Sequence, residues 1–498
     1  MTMTNIENFN NGSLPTPDEP VTRPAAGNAT SRPATAPTHD GADHGPAEPP
    51  KGRNPATLRE GFTTGSAATA AAMAATRVLL GHAAQPYELV PLPPFALHES
   101  PAAPQSHPEA AKHEAAVNTA GASAPVTPAG TFPPNLHLTG AGTLYIPVQA
   151  AQAAATAMGT ATDVDTDMGT AAAPDTQGQA AVTSFPTAST SAPISGATAT
   201  VIKDGGDDPD ATHNARIVAH VRPLAHMPAA HVEIAGGVGV GTVTLPGLPI
   251  GVGEAAINPE PRRQIAAGVR GVAAALGCLH GLHVTISVPD GATIARHTLN
   301  PRLGIVGGIS ILGTRGTVRP YSHDAWQASI AQGLDVARAA GLAEVCLSTG
   351  RRSETLLMAR YPHLCAQGFV QAADFAAFSL RTAAEKGFTH IAWGCFFGKL
   401  VKLAQGLNYT HARTAPLDLN QLADWSAQNH IAPERCAAIA TCNTASQALE
   451  IILPDPAANA LLNFVTCKAR TQAEGFAGGR TQVTVHLFHM NGTELVTA

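Results

Sequence analysis

No apolar periodicity is present in the first 56 residues, which mix Pro, Thr, Asn, Asp and Gly. Such a stretch cannot bury enough surface to offset the entropy of ordering it, so residues 1–56 are predicted to form a disordered tail. An alanine-rich run from Ser66 to Leu80, closed by Gly81, then predicts a helix. From about 93 to 199 the chain is again rich in Pro, Ala, Thr and Ser, which reads as a low-complexity surface insertion. One run inside it, TLYIPV (Thr143–Val148), alternates apolar side chains and predicts a strand. Short β-branched runs closed by Gly or Pro predict strands over 231–239 and 284–291, with a helix over 261–276 between them. From about His323 the two periods alternate, with helices near 324–340, 371–386 and 398–405 and strands over 345–349 and 390–394. That is the rhythm of βαβ units. The predicted architecture is a mixed α+β domain over 57–322, carrying the insertion at about 93–199, followed by a Rossmann-like three-layer α/β domain over 323–498.

Composition narrows what such a molecule can do. Forty prolines and 13% charged residues in 498 positions mean that much of the chain is not core. The seven cysteines are widely spaced and never form a C-x-x-C pair, which suits reduced thiols and argues against structural zinc. None of the 21 histidines falls in an H-x-x-x-H or H-E-x-x-H pattern, so no metal site is expected. A net charge of −6 without a basic block gives no footprint for nucleic acid. With no secretory signal pattern and no long apolar run, the expected setting is the cytoplasm, away from membranes.

Candidate chemistry concentrates in four strings. GFTTGSA (Gly61–Ala67) places Thr63, Thr64, Gly65 and Ser66 at the opening of a helix, where free N–H groups and the dipole favour an anion; a simple N-cap is the plain alternative. KDGGDDPD (Lys203–Asp210) gathers four aspartates around Gly205 and Gly206. It lacks calcium-loop spacing, and is either a turn joining two strands or a site for ribose hydroxyls, a cation or a proton. PRR (Pro261–Arg263) and the run Asn300–Gly316 bring Arg262, Arg263, Arg302 and Arg315 into glycine-rich turns, where guanidinium forks suit carboxylates. Two further strings mislead. VEIAGGVGVG (Val232–Gly241) imitates a nucleotide-binding glycine loop but continues into TVTLPGLP rather than a helix, and GCFFGKL (Gly394–Leu400) is one residue short of a P-loop and lacks its Ser or Thr.

The strings Leu58–Ala75, Val201–His213, Gly239–Arg263 and Asn300–Pro320, in this order, resemble the CbiD-type cobalt-precorrin-5B (C(1))-methyltransferase family of anaerobic cobalamin biosynthesis. Weaker likeness continues in TGRRSE (Thr349–Glu354), QAADFAAFSL (Gln371–Leu380) and GKLVKLAQG (Gly398–Gly406), so that it spans roughly 58–92 and 200–490. The resemblance implies methyl transfer from S-adenosyl-L-methionine to carbon 1 of a cobalt-containing tetrapyrrole, with neighbouring pathway enzymes as possible partners. A polycarboxylate macrocycle wants arginines and helix N-termini, which assigns it Thr63, Thr64, Gly65, Ser66, Arg262, Arg263, Arg302 and Arg315. A cationic donor with a ribose diol wants carboxylates, which assigns it Lys203, Asp204, Gly205 and Gly206. Asp207 and Asp208 are the candidate catalytic carboxylates. The strand ends near Gly350 and Gly394 are the second location for the donor, since open α/β sheets bind ligands there. The alternative is a non-catalytic corrinoid carrier using the same basic surface without a donor.

Overall fold

The computed structural model describes residues 57–93, 138–139, 143–155, 194–412 and 416–498. The expected tail and most of the expected insertion lie outside these residues. All the described residues fall in one compact unit.

The described residues begin with β1 (Gly61–Phe62), α1 (Thr64–Leu79), β2 (Tyr87–Pro91), β3 (Leu138–Thr139), β4 (Thr143–Pro147) and β5 (Ala150–Ala155). There follow β6 (Ile194–Ile202), β7 (Arg216–Pro228), β8 (Val232–Gly236), β9 (Thr242–Val243), α2 (Pro259–Ala275) and β10 (His280–Ser287). Then come α3 (Gly291–Ala295), β11 (Ile305–Val306) and β12 (Thr317–Val318). Strands β5, β6, β7, β10 and β8 make one sheet in that order, antiparallel except at the β10–β8 pair. Its inner face presents Val201, Ile217, Val221, Leu282, Val284 and Ile286, all fully buried against α1 and α2. Helix α1 has sheet on one side and α2 on the other, which is why Thr64 through Thr76 are all buried and why its residues are small. The expected strand over 143–148 is β4, paired with β2 and β3.

The composition of 93–199 conceals real structure. Strand β6 begins at Ile194, inside the expected insertion, and Ala197, Ala199 and Val201 point inward while Thr198 and Thr200 alternate with them. A period of two written in alanine and threonine looks like low complexity. Past β8 the chain turns rather than opening a helix, as expected for Val232–Gly241. Gly239 lies at φ +72°, and a Cβ there would fall 1.8 Å from the Val288 carbonyl oxygen, so the glycine lets two backbones cross.

The remaining chain carries α4 (His323–Ala339), β13 (Glu344–Ser348), α5 (Arg351–Arg360), β14 (Phe369–Gln371), α6 (Ala376–Glu385), β15 (His390–Phe396) and α7 (Phe397–Ala404). It ends with α8 (Leu419–Gln428), α9 (Pro433–Ala440), α10 (Ala445–Ile452), α11 (Ala458–Phe476), β16 (Gln482–Phe488) and β17 (Glu494–Thr497). The sheet order is β14-β13-β15-β16-β17, parallel except for β17. Val345, Leu347, Ile391, Trp393, Val483 and Val485 face α4, α6, α7 and α11, whereas Cys346, Ala392 and Phe488 pack with Leu357 of α5 on the other face. The helix expected from residue 371 starts only at Ala376. Gln371 closes β14, and the backbone turns through Ala373 at φ +49° before α6 begins.

Candidate active site

Two contiguous cavities open where the loop after α3 faces α4 and α5. The larger encloses about 670 Å³ and the narrower about 240 Å³, and they share Thr298, Leu299, Leu303 and Ser329 as a common wall.

The narrow cavity is built where α1 starts. Thr63 caps the helix, its Oγ accepting from the Ser66 N–H at 3.2 Å, and Thr64 Oγ spans the Leu312 carbonyl at 3.1 Å and N–H at 2.8 Å. Both threonines line the cavity. Gly65 lies beneath Pro261, and the fully buried Ser66 donates to the Gly316 carbonyl at 2.8 Å; neither lines the cavity. Lys203, 1% exposed, closes another wall and pairs with Asp210. Burial pushes the Asp210 carboxyl up, but the Lys203 charge and hydrogen bonds from Thr212 N at 2.7 Å and Oγ at 2.6 Å prevail and hold it below the usual range. Asn258, at the N-cap of α2, lines the same space and makes no capping bond through its side chain.

The aspartate turn joins β6 to β7, and most of its polar groups hold the turn itself. Asp204 accepts both terminal nitrogens of Arg59 and the Gly206 N–H; burial opposes its ionisation, yet these contacts leave the carboxyl below its ordinary value. The Gly205 N–H donates to His213 Nδ1 at 3.0 Å. Gly206 sits at φ +68°, and a Cβ there would meet the Arg59 carbonyl oxygen at 2.2 Å. Asp207 accepts from the Arg59 N–H and Asp208 from the Tyr321 N–H, each at 2.9 Å. Burial pushes the Asp208 carboxyl up. Of the four aspartates, Asp210 is the one that lines the narrow cavity.

In the larger cavity Arg302 meets Glu354 of α5 through both terminal nitrogens, and Gln371 Nε2 donates to the same carboxylate at 2.7 Å. Glu354 is 2% exposed, so its charge is fully matched inside the protein. Arg296, His297 and Arg351 also line this cavity, and none makes an ion pair among the described residues.

The other predicted arginines are placed elsewhere. Arg262 donates to the carbonyls of Ile257, Ile234 and Ala255, Arg263 pairs with Glu260 on the surface of α2, and Arg315 pairs with the exposed Asp324. Gly350 caps α5, its carbonyl accepting from Ser353 Oγ. Gly394 lets α5 approach the sheet, since a Cβ there would fall 2.6 Å from Leu357. Neither glycine lines the two cavities. Asp210, Arg351, Glu354 and Gln371 sit in strings already singled out, so their signal was present. Arg296 and His297 follow a stretch without glycine density, and nothing local marks them.

The family model described as CbiD matches residues 136–320, and that described as the CbiD C-terminal domain matches residues 409–498. A cobalt-precorrin-5B C(1)-methyltransferase from Nitratidesulfovibrio vulgaris is 51% identical over 91% of this chain and 96% of its own length. A protein of the same name from Geobacillus thermodenitrificans is 45% identical over 63% of this chain and 83% of its own. A crystal structure of a cobalamin biosynthesis protein (cbiD) from Archaeoglobus fulgidus overlaps 69% of this chain and 78% of its own at 20% identity and a TM-score of 0.29, too loose an overlap to bear on the fold.

Proposed function

The chain belongs to the CbiD family of cobalt-precorrin-5B C(1)-methyltransferases, and from that premise we propose that it methylates carbon 1 of cobalt-precorrin-5B to give cobalt-precorrin-6A, with S-adenosyl-L-methionine as donor. The observation that supports this from the molecule itself is the larger cavity. Its 670 Å³ lies within the ~300–1,000 Å³ usual for small-molecule sites. Arg296, His297 and Arg351 on its walls suit the acetates and propionates of a tetrapyrrole, while Arg302 is held by Glu354. Cobalt arrives with the substrate. When bound, the donor supplies a methyl group on a sulfonium; the carbon–sulfur bond breaks with its electron pair left on sulfur as the new carbon–carbon bond forms. The protein's part is to hold the two reactants at the shared wall and exclude water.

In this reading Lys203 and the aspartate turn serve the donor, Thr63 and Thr64 lie where both ligands come close, and Asp207 or Asp208 shapes the turn or takes a proton released after methylation. Residues 57–322 act as the α+β part, and 323–498 as a Rossmann-like part that contributes Trp326, Arg351, Glu354 and Gln371 to the larger cavity. No described helix is long and apolar enough to cross a membrane, and we place the reaction in the cytoplasm beside other corrin-forming enzymes. The carrier alternative gains no support from relatives named as methyltransferases. Single-turnover methylation of cobalt-precorrin-5B, run beside calorimetry with S-adenosylhomocysteine, tests the proposal. The expected result is methyl transfer and measurable binding, with Asp207→Asn or Asp208→Asn slowing turnover by about 100-fold. Tetrapyrrole binding without any affinity for S-adenosylhomocysteine would return the chain to the carrier class.

A further inference from the structure

We infer that the narrow cavity receives the zwitterionic amino-acid end of the methyl donor, Lys203 taking its carboxylate and Asp210 its ammonium. This rests on the methyltransferase reading above and adds a place and an orientation to it.

Size comes first. At about 240 Å³ the narrow cavity is below the ~300–1,000 Å³ of a whole small-molecule site, so it houses part of a ligand whose remainder lies outside. Thr298, Leu299, Leu303 and Ser329 line both cavities, so the part of a ligand that outgrows the narrow one lies beside the larger one, to which the methyltransferase reading assigns the methyl acceptor.

Charge comes second. Lys203 and Asp210 are the ionisable residues among those lining the narrow cavity, one cation and one anion. A wall with one charge of each sign complements a zwitterion, whereas an isolated propionate would meet Asp210 as a like charge and a neutral base would use neither. The buried Lys203 ammonium has three protons, and among the described residues its hydrogen-bond acceptor is Asp210. A second carboxylate would satisfy what the first leaves, and an unsatisfied buried donor is costly. The start of α1 at Thr63 and Thr64 adds the positive end of a sixteen-residue helix to the same space. Leu248, Ile305, Ile309 and Leu312 complete the wall with the apolar surface that a short carbon chain requires.

The test compares S-adenosylhomocysteine with 5′-methylthioadenosine, which keeps the nucleoside and thioether but lacks the amino-acid end. Calorimetry on the full chain should find S-adenosylhomocysteine bound at least about tenfold more tightly, the scale of one charge-assisted hydrogen bond. In the double variant Lys203→Met, Asp210→Asn, which leaves no lone buried charge, that advantage should disappear while affinity for 5′-methylthioadenosine stays unchanged. Should the double variant fail to fold, Leu312→Trp provides the same comparison. Leu312 is 50% exposed and lines the narrow cavity, so the larger ring can be accommodated while filling it. A variant that folds and keeps the full preference for S-adenosylhomocysteine, or loses both ligands in parallel, overturns the inference and leaves the methyltransferase reading standing. Wild-type protein that binds neither nucleoside overturns both.

Discussion

Arg302→Ala should cost far more stability than the loss of a half-exposed surface arginine. Glu354 is 2% exposed, and Arg302, 33% exposed, supplies both of its guanidinium contacts. Breaking a buried pair from one side costs about 3–5 kcal/mol, because the surviving charge has neither water nor a partner. Here the Gln371 amide stays on the carboxylate and the cavity admits some solvent, which brings the expectation to about 2–4 kcal/mol. Urea unfolding followed by circular dichroism reads that value. Adding Glu354→Gln removes the stranded charge, so the double variant should recover most of the loss, to within about 1 kcal/mol of wild type. Acid should help the single variant as well. An unpaired buried glutamate has its folded pKa raised above the unfolded one, so its contribution is fully present below the unfolded pKa and is lost as pH rises through the folded one. The deficit of Arg302→Ala should therefore shrink from pH 8 to pH 5. Wild-type stability at pH 8, or a deficit that neither acid nor Glu354→Gln relieves, would refute the picture of Glu354 as a charge that Arg302 neutralises.

Asp208 provides a second pH test. Burial raises its carboxyl, so ionising it opposes folding, and Asp208→Asn should be more resistant to heat than wild type at pH 8, with the advantage fading as the pH falls through the raised folded pKa and gone once the pH is below the ordinary aspartate range. Gly206→Ala meets both a positive φ and the Arg59 carbonyl oxygen at 2.2 Å; thermal unfolding should show a loss of about 2 kcal/mol or more, and an unchanged midpoint would mean that the turn is looser than described.

The parts of this molecule that sequence made legible are those whose local period matches their surroundings. Helix α1 and strands β13 and β15 fall within a residue or two of their expected places, because each is an apolar run ended by Gly or by a turn. Strand β6 was hidden because its inward residues include Ala197 and Ala199, which carry little hydrophobic contrast with the threonines between them. At the site, the strings were easier to find than the work of each residue within them. Glycine density and charge mark a crowded region, but whether an arginine faces a cavity depends on distant partners. Arg262 has three backbone carbonyls within reach and Arg302 has Glu354, contacts 5 to 52 positions away along the chain. The same limit applies to the aspartate turn, where Arg59, 145 positions from Asp204, decides which carboxylates are occupied in holding the loop.

The alanines of α1 have a consequence for variation. Packed between sheet and second helix, positions 67, 68, 70, 71, 72, 74 and 75 are at zero exposure. A close-packed interior transmits an added methyl group as displacement rather than absorbing it. The helix is in effect a gauge block. Its thickness sets how far Thr63 and Thr64 stand from Lys203 across the narrow cavity, so a larger residue two turns along would move the mouth of the site without touching it. Substitutions there should behave like active-site lesions in an activity screen and like mild packing defects in a melting curve, and sorting them by either readout alone would misplace them.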